Sequence, residues 1–200
     1  MADGPRYSLP FRRRREGRTD YKLRRSLIAS GRPRAVVRLS NKYVYVQITD
    51  AKLSGDFVRA SASSRELAGL GWKGGTGNLP AAYLTGELAG RRAMAKGVKE
   101  ALLDIGLKSS SKGSRLYAAL KGLVDSGLEV PHSDDNLPPV ERLAGGHVAA
   151  YAKSLLVEAA DEYKKRFSGY LGKGLKPEDL SSHFQQVKEK IMSSPLEAAA

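Results

Sequence analysis

The N-terminal stretch of this chain carries most of its positive charge, and that concentration limits what the stretch can fold into. Residues 1–42 contain 13 Lys and Arg against three acids, a net charge of +10, whereas all 200 residues together have a net charge of +13. The charge is densest in the run Arg12–Arg15. Because a block of like charges repels itself, we expect an arm that stays extended until a polyanion neutralises it.

Arginine rather than lysine dominates this arm, and its planar guanidinium suits bidentate contacts to phosphate and stacking on bases. Three aromatic residues, Tyr7, Phe11 and Tyr21, provide flat faces on which an unpaired base can stack. The alternative is a solvated tail or a localisation signal. The density and length of the basic run favour a nucleic-acid partner over both.

Composition narrows the class of protein further. The chain has no Cys, which excludes a disulfide scaffold, thiolate metal sites and cysteine nucleophiles. No run approaches the roughly 20 apolar residues of a membrane span, and no apolar segment follows the N-terminal charge as in a secretory signal. The pI near 10 indicates nucleic acid. An anionic membrane surface is the weaker alternative, because Pro10, Gly17, Gly31 and Pro33 interrupt any basic amphipathic helix.

Three segments after the arm are typical of β-strands. Residues 34–39, 43–49 and 57–62 are rich in β-branched or aromatic side chains. Asn41-Lys42 predicts a tight turn between the first two segments, and residues 50–56 predict a longer loop before the third. We therefore predict an antiparallel meander.

The middle strand has two chemically different faces. Side chains alternate along a strand, so Val44, Val46 and Ile48 share one face while Tyr43 and Tyr45 lie on the other. We expect the aliphatic face to pack in the core. The tyrosine face then stays free for RNA or for another layer of structure.

Helix and strand signals continue along the chain. The predicted elements are a helix over residues 21–30 capped by Thr19 or Asp20 and closed by Gly31, a helix from Asn78 to Lys96 ended by Gly97, a buried strand over residues 101–107, a helix over residues 114–126 followed by Gly127 and a helical segment over residues 148–167. A last amphipathic helix is predicted from Pro177, with Leu180, Phe184, Val187 and Ile191 along one stripe. In the second helix, Leu84, Leu88 and Ala95 form the expected apolar side. Gly86 and Gly90 are expected to let it approach the sheet closely.

These elements predict an α/β fold with a mixed β-sheet, in which a strand-helix-strand-helix unit follows the antiparallel meander. A basic N-terminal extension and a helical C-terminal region flank it. The expected division is a basic N-terminal RNA-binding arm over residues 1–31, an α/β central domain over residues 32–132 and a helical C-terminal extension over residues 133–200.

Residues 69–78 form a glycine-rich loop that contains the pattern G-x-G-x-x-G. The dinucleotide-binding form of that pattern needs a preceding strand and a helix at its third glycine, and neither is predicted here. The Walker A form needs Gly-Lys-Ser/Thr, which is absent. We expect instead a loop whose backbone approaches an RNA phosphate or a neighbouring protein. Trp72 is either an anchor for that partner or a partly buried core residue.

The titratable residues predict no catalytic or metal centre. His132, His147 and His183 are not paired at the spacing of metal ligands, and no G-x-S-x-G pattern or Ser/His/Asp order is present. Asp104, in the predicted buried strand, is expected to be a lone carboxylate that pairs with an arginine. We therefore expect neither an enzyme nor a bound cofactor.

Several blocks of residues occur together and in one order. They are Gly4-Pro5-Arg6-Tyr7, Arg12 to Tyr21, Arg32-Pro33-Arg34, Ser40-Asn41-Lys42, Gly71-Trp72, Gly75 to Pro80, Ala82 to Gly86, Asp104-Ile105-Gly106 and Pro131-His132. With these blocks the chain resembles the universal large-subunit ribosomal protein family eighteen, the 5S-rRNA-binding family, in its longer archaeal and eukaryotic-type form. The resemblance covers about residues 4–191 and is looser after Pro138.

The resemblance implies a non-catalytic constituent of the large ribosomal subunit that binds 5S rRNA. It also implies contacts with the large-subunit rRNA and with neighbouring ribosomal proteins, including the large-subunit protein five family, and a cytoplasmic, ribosome-bound location away from membranes. Resemblance and charge pattern together select the residues expected to contact RNA, which are Arg12, Arg13, Arg14, Arg15, Arg18, Tyr21, Arg24, Arg25, Arg32, Arg34, Arg38, Ser40, Asn41, Lys42, Trp72, Lys73, Thr76 and Asn78.

Two other functions compete with this one. An RNA-processing enzyme that captures its substrate with the arm would need a cluster of acids, histidines or nucleophiles, and the sequence presents none. A general chaperone or non-specific nucleic-acid binder would hold folded 5S rRNA and an unrelated RNA equally well at matched salt.

Overall fold

The architecture is that of a computed structural model, which describes residue 4 and residues 7–194. The first resemblance block therefore lies partly outside the described residues, at Pro5 and Arg6. The first residues of the expected arm, 1–3, and the last residues of the expected C-terminal extension, 195–200, also lie outside the described residues.

The arm contains one helical turn, α1 (Arg12–Arg15), where the sequence predicted an extended chain. That prediction is wrong for this turn. Glu16 follows directly, and its carboxylate oxygens lie 3.8 Å from Arg12 Nε and 3.1 Å from Arg18 Nε. This acid offsets part of the repulsion within the run. The four arginines of α1 nevertheless stay exposed, so their charge is available to a partner.

The second helix of the arm, α2 (Tyr21–Ala29), confirms the helix predicted here. Its N-cap is Asp20, whose Oδ1 accepts hydrogen bonds from the backbone N–H groups of Lys22 and Leu23 at 2.9 and 3.0 Å. Gly31 follows its C-terminal end with φ +69°, a left-handed conformation that glycine adopts without steric cost. The helix therefore begins and ends where the capping residue and the glycine in the sequence indicated.

Four strands form one mixed sheet, as the sequence predicted. They are β1 (Arg34–Leu39), β2 (Val44–Lys52), β3 (Gly55–Ser63) and β4 (Leu102–Asp104), in the spatial order β3-β2-β1-β4. The first three pair antiparallel, and β4 adds to β1 in parallel. This α/β arrangement confirms the predicted fold class.

Two strand predictions need correction. The expected loop over residues 50–56 is mostly strand, because β2 and β3 continue pairing to the tip, where Lys52 faces Gly55. The expected strand over residues 101–107 is shorter. It ends at Asp104, and Gly106 then takes φ +65° and turns the chain away from the sheet.

The predicted faces of the middle strand are confirmed. Val44, Val46 and Ile48 have no exposed surface, whereas Tyr45 on the opposite face is 43% exposed. The aliphatic face packs beneath α3 (Leu79–Ala95), which contacts both β2 and β3. On the tyrosine face, Tyr45 and Gln47 are exposed, whereas Thr49 at its end is buried.

Close packing between α3 and α4 (Arg115–Asp125) explains the glycines of these helices. A Cβ atom at Gly86 would overlap the carbonyl oxygen of Ala119, and one at Gly122 would overlap that of Tyr83. A Cβ atom at Gly90 would overlap Ser126 Oγ. The expectation that Gly86 and Gly90 face the sheet is therefore wrong, since both face α4. Ala95 was also expected on the apolar side but is exposed.

The C-terminal region is helical. It consists of α5 (Val140–Leu143), α6 (Gly146–Glu158), α7 (Ala160–Arg166), α8 (Ser168–Leu171) and α9 (Leu180–Ser193). A single helical segment over residues 148–167 was predicted, but Ala159, with φ −153° and ψ 80°, separates α6 from α7. Its backbone is extended at this point, which interrupts the helical hydrogen bonds.

The last helix joins the main core. Leu180, Phe184, Val187 and Ile191 repeat along one face of α9, as the sequence predicted, and all four are buried with the residues that line the sheet. A smaller cluster, which includes Ala152, Leu155, Tyr163 and Phe167, lies between α6 and α7. No helix among the described residues has the length and apolar character needed to cross a membrane.

Candidate nucleic-acid interface

The carboxylate of Asp104 holds two arginines of β1. The parallel register places Asp104 opposite Val36, between Arg34 and Arg38 on the same face of the sheet. Arg34 Nη1 donates to Asp104 Oδ2 at 3.1 Å, and Arg38 Nη2 donates to Oδ1 at 2.9 Å. The Gly106 N–H also donates to Oδ1, at 2.9 Å. The predicted pairing of Asp104 with an arginine is confirmed, and it involves two.

Asp56, near the tip of the β2–β3 hairpin, links this pair to the arm. Arg24 of α2 donates from Nη2 to Asp56 Oδ1 at 2.9 Å. Arg34 Nη2 lies 2.7 Å from the same oxygen, as an ion pair outside hydrogen-bond geometry. Partial burial acts to raise the pKa of Asp56, but the hydrogen bond from Arg24 and the positive charges of Arg24 and Arg34 outweigh it and hold that pKa below its usual value. Asp56 is therefore a carboxylate that connects α2 to β1.

Arg34 is buried, although the sequence predicted it among the RNA contacts. It is 1% exposed and lies between the two carboxylates, so its guanidinium is directed inside the protein rather than displayed on the surface. Arg24 and Arg38 differ, because their side chains are 35% and 46% exposed.

A cleft of about 710 Å³ opens between the arm and this part of the sheet. Five cations line it, namely Arg13, Arg18 and Arg24 of the arm, Arg38 of β1 and Lys108 after β4, and three carboxylates also line it, those of Asp20, Asp56 and Asp104. Tyr21 also lines it and is half-buried, which leaves an aromatic face within reach of an entering base. The cleft thus combines phosphate-binding charge with a stacking surface.

Most predicted contacts of the arm, including some that line the cleft, are exposed. Arg32 lies 3.6 Å from Glu100 in an exposed pair, which water screens. Arg13 Nε donates to Thr19 Oγ1 at 2.9 Å, and this orients one guanidinium of α1. Exposed side chains are Arg12, Arg13, Arg14, Arg15, Arg18, Arg25 and Arg32.

The β1–β2 turn and the glycine-rich loop form a second part of the surface. Ser40, Asn41 and Lys42 are exposed in the turn. Thr76 Oγ1 donates to the carbonyl oxygen of Lys42 at 2.7 Å and joins the loop to the turn. A Cβ atom at Gly77 would lie 2.9 Å from the Asn41 carbonyl oxygen, so this position needs a glycine for the two segments to meet.

Trp72 lies in the core, where it shapes the loop. It is 3% exposed, its Nε1–H donates to the Gly75 carbonyl oxygen at 3.1 Å, and its ring stacks on His183 with centroids 5.2 Å apart. A Cβ atom at Gly74 would lie 2.5 Å from the Trp72 ring, which explains the glycine there. Of the two alternatives for Trp72, the structure favours the core residue, because its side chain is buried and hydrogen-bonded within the protein.

Asn78 and Lys73 have different roles within this loop. Asn78 Oδ1 caps α3 by accepting from the Ala81 N–H at 3.0 Å, and its Nδ2 donates to the Tyr170 hydroxyl at 3.3 Å. Both ends of its amide are thus used within the protein. Lys73 is exposed. Its backbone N–H donates to His183 Nε2 at 3.1 Å.

Sequence reasoning did not predict that His183 contacts the glycine-rich loop. It predicted that the last helix is amphipathic but could not predict what the helix contacts, since residues 73 and 183 are far apart in the chain. Burial, together with the charges of Lys73 and Lys190, lowers the pKa of His183. Its ring is therefore neutral at pH 7 and accepts the Lys73 hydrogen bond.

No metal-binding cluster occurs in the described part of the chain. Within residue 4 and residues 7–194, no group of three or more His, Asp or Glu is placed to hold a metal ion. Of the carboxylates at the cleft, Asp56 and Asp104 pair with arginines, and Asp20 caps α2. The geometry is that of a basic, partly preformed surface.

Comparison with known proteins identifies the family. A sequence profile described as "Ribosomal large subunit proteins 60S L5, and 50S L18" matches residues 5–101 and 95–133. The chain belongs to this family. Its relatives include proteins named large ribosomal subunit protein uL18 from three archaea. The relative from Caldivirga maquilingensis is 54% identical over 193 residues, which are 96% of this chain and 93% of that protein.

Two further relatives carry the same name. The protein from Aeropyrum pernix is 53% identical over 192 residues, 96% of this chain and 90% of its own length. The one from Methanothermobacter thermautotrophicus is 50% identical over 191 residues, 96% of this chain and 98% of its own length. The family resemblance read from the sequence is confirmed. Membership assigns the protein a structural, non-enzymatic and ribosome-bound role in the large subunit, and it removes the RNA-processing enzyme from consideration.

Proposed function

We propose that the protein binds 5S rRNA and anchors it to the large-subunit rRNA and to neighbouring large-subunit proteins, including the large-subunit protein five family, on cytoplasmic ribosomes. One observation carries this proposal. The exposed arginines of the arm stand beside a basic cleft that also contains the Tyr21 ring. Such a surface suits an RNA with both a phosphate backbone and unpaired bases.

The proposed contact set is the predicted one without Arg34 and Trp72, which are buried, and without Asn78, whose amide is used at both ends. It comprises Arg12, Arg13, Arg14, Arg15, Arg18, Tyr21, Arg24, Arg25, Arg32, Arg38, Ser40, Asn41, Lys42, Lys73 and Thr76. Arg34, Trp72 and Asn78 support this set from within. Arg34 holds the carboxylates beneath the arm, Trp72 holds the loop, and Asn78 caps α3.

Affinity and specificity for RNA have two different physical sources. The exposed arginines neutralise phosphates and release counterions, which supplies most of the affinity and makes it depend on salt. The folded surface supplies specificity through shape and stacking, because the deep major groove of A-form RNA is too narrow for side chains to read. Arg24 and Arg38 are already oriented by Asp56 and Asp104, so they lose little side-chain entropy on binding.

The expected division of the chain remains part of this proposal. The arm over residues 1–31 carries phosphate contacts, and the central domain over residues 32–132 carries the cleft and the glycine-rich loop. The extension over residues 133–200 supports them. In support of the last point, α9 packs its apolar face into the core beside the sheet.

A salt titration of binding tests the proposal. The full-length protein is titrated with folded 5S rRNA and, in parallel, with a control RNA of the same size at each salt concentration. We expect a preference for 5S rRNA that persists at high salt, because shape readout does not depend on counterion release. Equal affinities that fall together with salt would contradict 5S recognition and favour a non-specific basic binder.

A further inference from the structure

His183 of the C-terminal helix α9 contacts the glycine-rich loop and holds it against that helix. The ring of His183 stacks on Trp72 at an interplanar angle of 17°, and its Nε2 accepts the Lys73 N–H at 3.1 Å. At the end of the loop, Asn78 Nδ2 donates to the hydroxyl of Tyr170, in α8, at 3.3 Å. The loop therefore keeps its shape through contacts with residues more than 90 positions away along the chain.

This docking brings an additional lysine to the loop. Lys190 lies two turns after His183 on α9, and its Nζ would be 3.3 Å from a Cβ atom placed on Gly71. The Lys190 ammonium therefore lies directly over the loop backbone. Neither Lys73 nor Lys190 has a carboxylate within 4.0 Å among the described residues, so their charges are not neutralised within that part of the protein.

The charges that act on His183 report the same electropositive environment. After burial, the groups that lower the pKa of His183 are Lys73 from the loop and Lys190 from its own helix. A hydrogen bond to Gln186 acts in the opposite direction. The charged groups that shift this pKa are all cations, and an anion placed between them would be attracted by both lysines.

The surface is continuous with the proposed RNA contacts. Thr76 of the loop binds the carbonyl oxygen of Lys42 in the β1–β2 turn, and Arg115 Nη1 of α4 donates to the Gly77 carbonyl oxygen at 2.7 Å. The loop is rich in glycine, so a phosphate can approach its backbone closely. Continuity with the turn and unneutralised charge favour an RNA backbone over an acidic protein as the partner.

We propose that α9 completes the RNA-binding surface: Lys190 and Lys73 together bind a backbone phosphate of 5S rRNA, and His183 positions them. The inference rests on the proposed function and extends it to the C-terminal region. Lys190 acts as a contact residue. His183 is a positioning residue, because its neutral ring accepts the Lys73 N–H and stacks on Trp72 rather than touching the RNA.

The test measures the salt dependence of 5S rRNA binding for full-length Lys190→Ala. Loss of one phosphate contact reduces the slope of log affinity against log salt by about 0.7–0.9. The affinity ratio of wild type to variant should therefore rise about two- to threefold between roughly 0.3 M and 0.1 M salt. The matched control is Lys96→Ala. Lys96 is an exposed lysine at the far end of α3, about 25 Å along the helix from the loop.

His183 is tested with two substitutions. His183→Gln keeps a side-chain oxygen that can accept the Lys73 N–H, and we expect it to retain the wild-type slope. His183→Leu removes the acceptor and should lower the slope as Lys190→Ala does, with unfolding curves used to establish that both variants fold. A wild-type slope in Lys190→Ala, with 5S preference intact, would overturn this inference and leave the proposed function standing. Loss of 5S preference in the wild-type protein would overturn both.

Discussion

Arg34 and Asp104 meet on one face of the sheet, across the parallel pair β1 and β4, with Arg34 Nη1 3.1 Å from Asp104 Oδ2 and both side chains buried. Arg34 is also 2.7 Å from Asp56, which binds Arg24 of the arm. A single buried guanidinium thus connects the edge strand, the β2–β3 hairpin and α2. We expect the orientation of the arm over the cleft to depend on it.

Replacing Arg34 by Met should destabilise the protein. The change leaves Asp104 and Asp56 each with one arginine, so the cost is less than that of a fully unpaired buried charge. We expect about 2–4 kcal/mol in the free energy of unfolding, measured by denaturant titration. Arg32→Met is the matched control, since Arg32 makes an exposed pair with Glu100 and should cost less than about 1 kcal/mol. Equal effects of the two substitutions would show that the buried pairs do not stabilise the fold.

Deleting residues 1–18 should weaken 5S rRNA binding and flatten its salt dependence while the rest of the chain stays folded. The described residues of this segment are exposed, so the core loses no packing. Changing Arg12–Arg15 to glutamine in the full chain removes the charge but keeps the length of the arm. This change should reduce the slope of log affinity against log salt by up to about 3. Circular dichroism checks the fold. Unchanged affinity in the truncated protein would refute the role given to the arm.

Replacing Glu87 by Gln should stabilise the protein above neutral pH. Glu87 of α3 is 1% exposed, and neither carboxylate oxygen has a hydrogen-bond partner. Burial raises the pKa of Glu87 to about 7, although the charge of Lys188 acts to lower it. Between pH 4.5 and about 7 the folded state binds more protons than the unfolded state, so the Glu87 contribution to stability falls as pH rises. We expect Glu87→Gln to gain about 2 kcal/mol at pH 8.

The measurement is the free energy of unfolding as a function of pH. His183 acts in the opposite direction, because its lowered pKa makes the unfolded state bind more protons and stability is lost as pH falls below about 6.5. The difference between Glu87→Gln and wild type removes this background, since His183 is present in both. A difference that does not change between pH 5 and 8 would mean that Glu87 is not titrating in this range.

Replacing Gly122 by Ala should separate α3 from α4. The added methyl group would overlap the Tyr83 carbonyl oxygen and approach the Glu87 backbone nitrogen, and backbone atoms cannot move aside without shifting a helix. We expect a loss of about 1–3 kcal/mol in the free energy of unfolding. Gly169→Ala, in α8, has open space around its new Cβ atom and should be neutral or slightly stabilising. Similar effects at both positions would contradict close helix packing.

Local signals were sufficient for much of the fold. Alternation in β2 assigned Val46 to the core and Tyr45 to the surface, and Asp20 and Gly31 bounded α2, because such preferences depend on neighbouring residues alone. The break at Ala159 was missed, since alanine favours helix and only the packing of α6 against α7 overrides that preference.

The candidate site was predicted less completely, and its residues show why. Arg34 and Arg38 belong to the same strand and point to the same face, so the sequence pattern predicts the same environment for both. The structure buries Arg34 between Asp56 and Asp104 and leaves Arg38 partly exposed beside Gly106. Trp72 and His183 form a stack that no spacing in the chain could indicate, because they meet only when α9 docks.

The amino-acid sequence by itself determined the basic arm, the strand and helix types and the family, because charge, periodicity and the order of motifs are properties of the chain. The tertiary structure decided which cations face a partner. Burial and pairing depend on long-range neighbours, such as Asp104 for Arg34 and the glycine-rich loop for Lys190, and these become neighbours only when the sheet and α9 have packed.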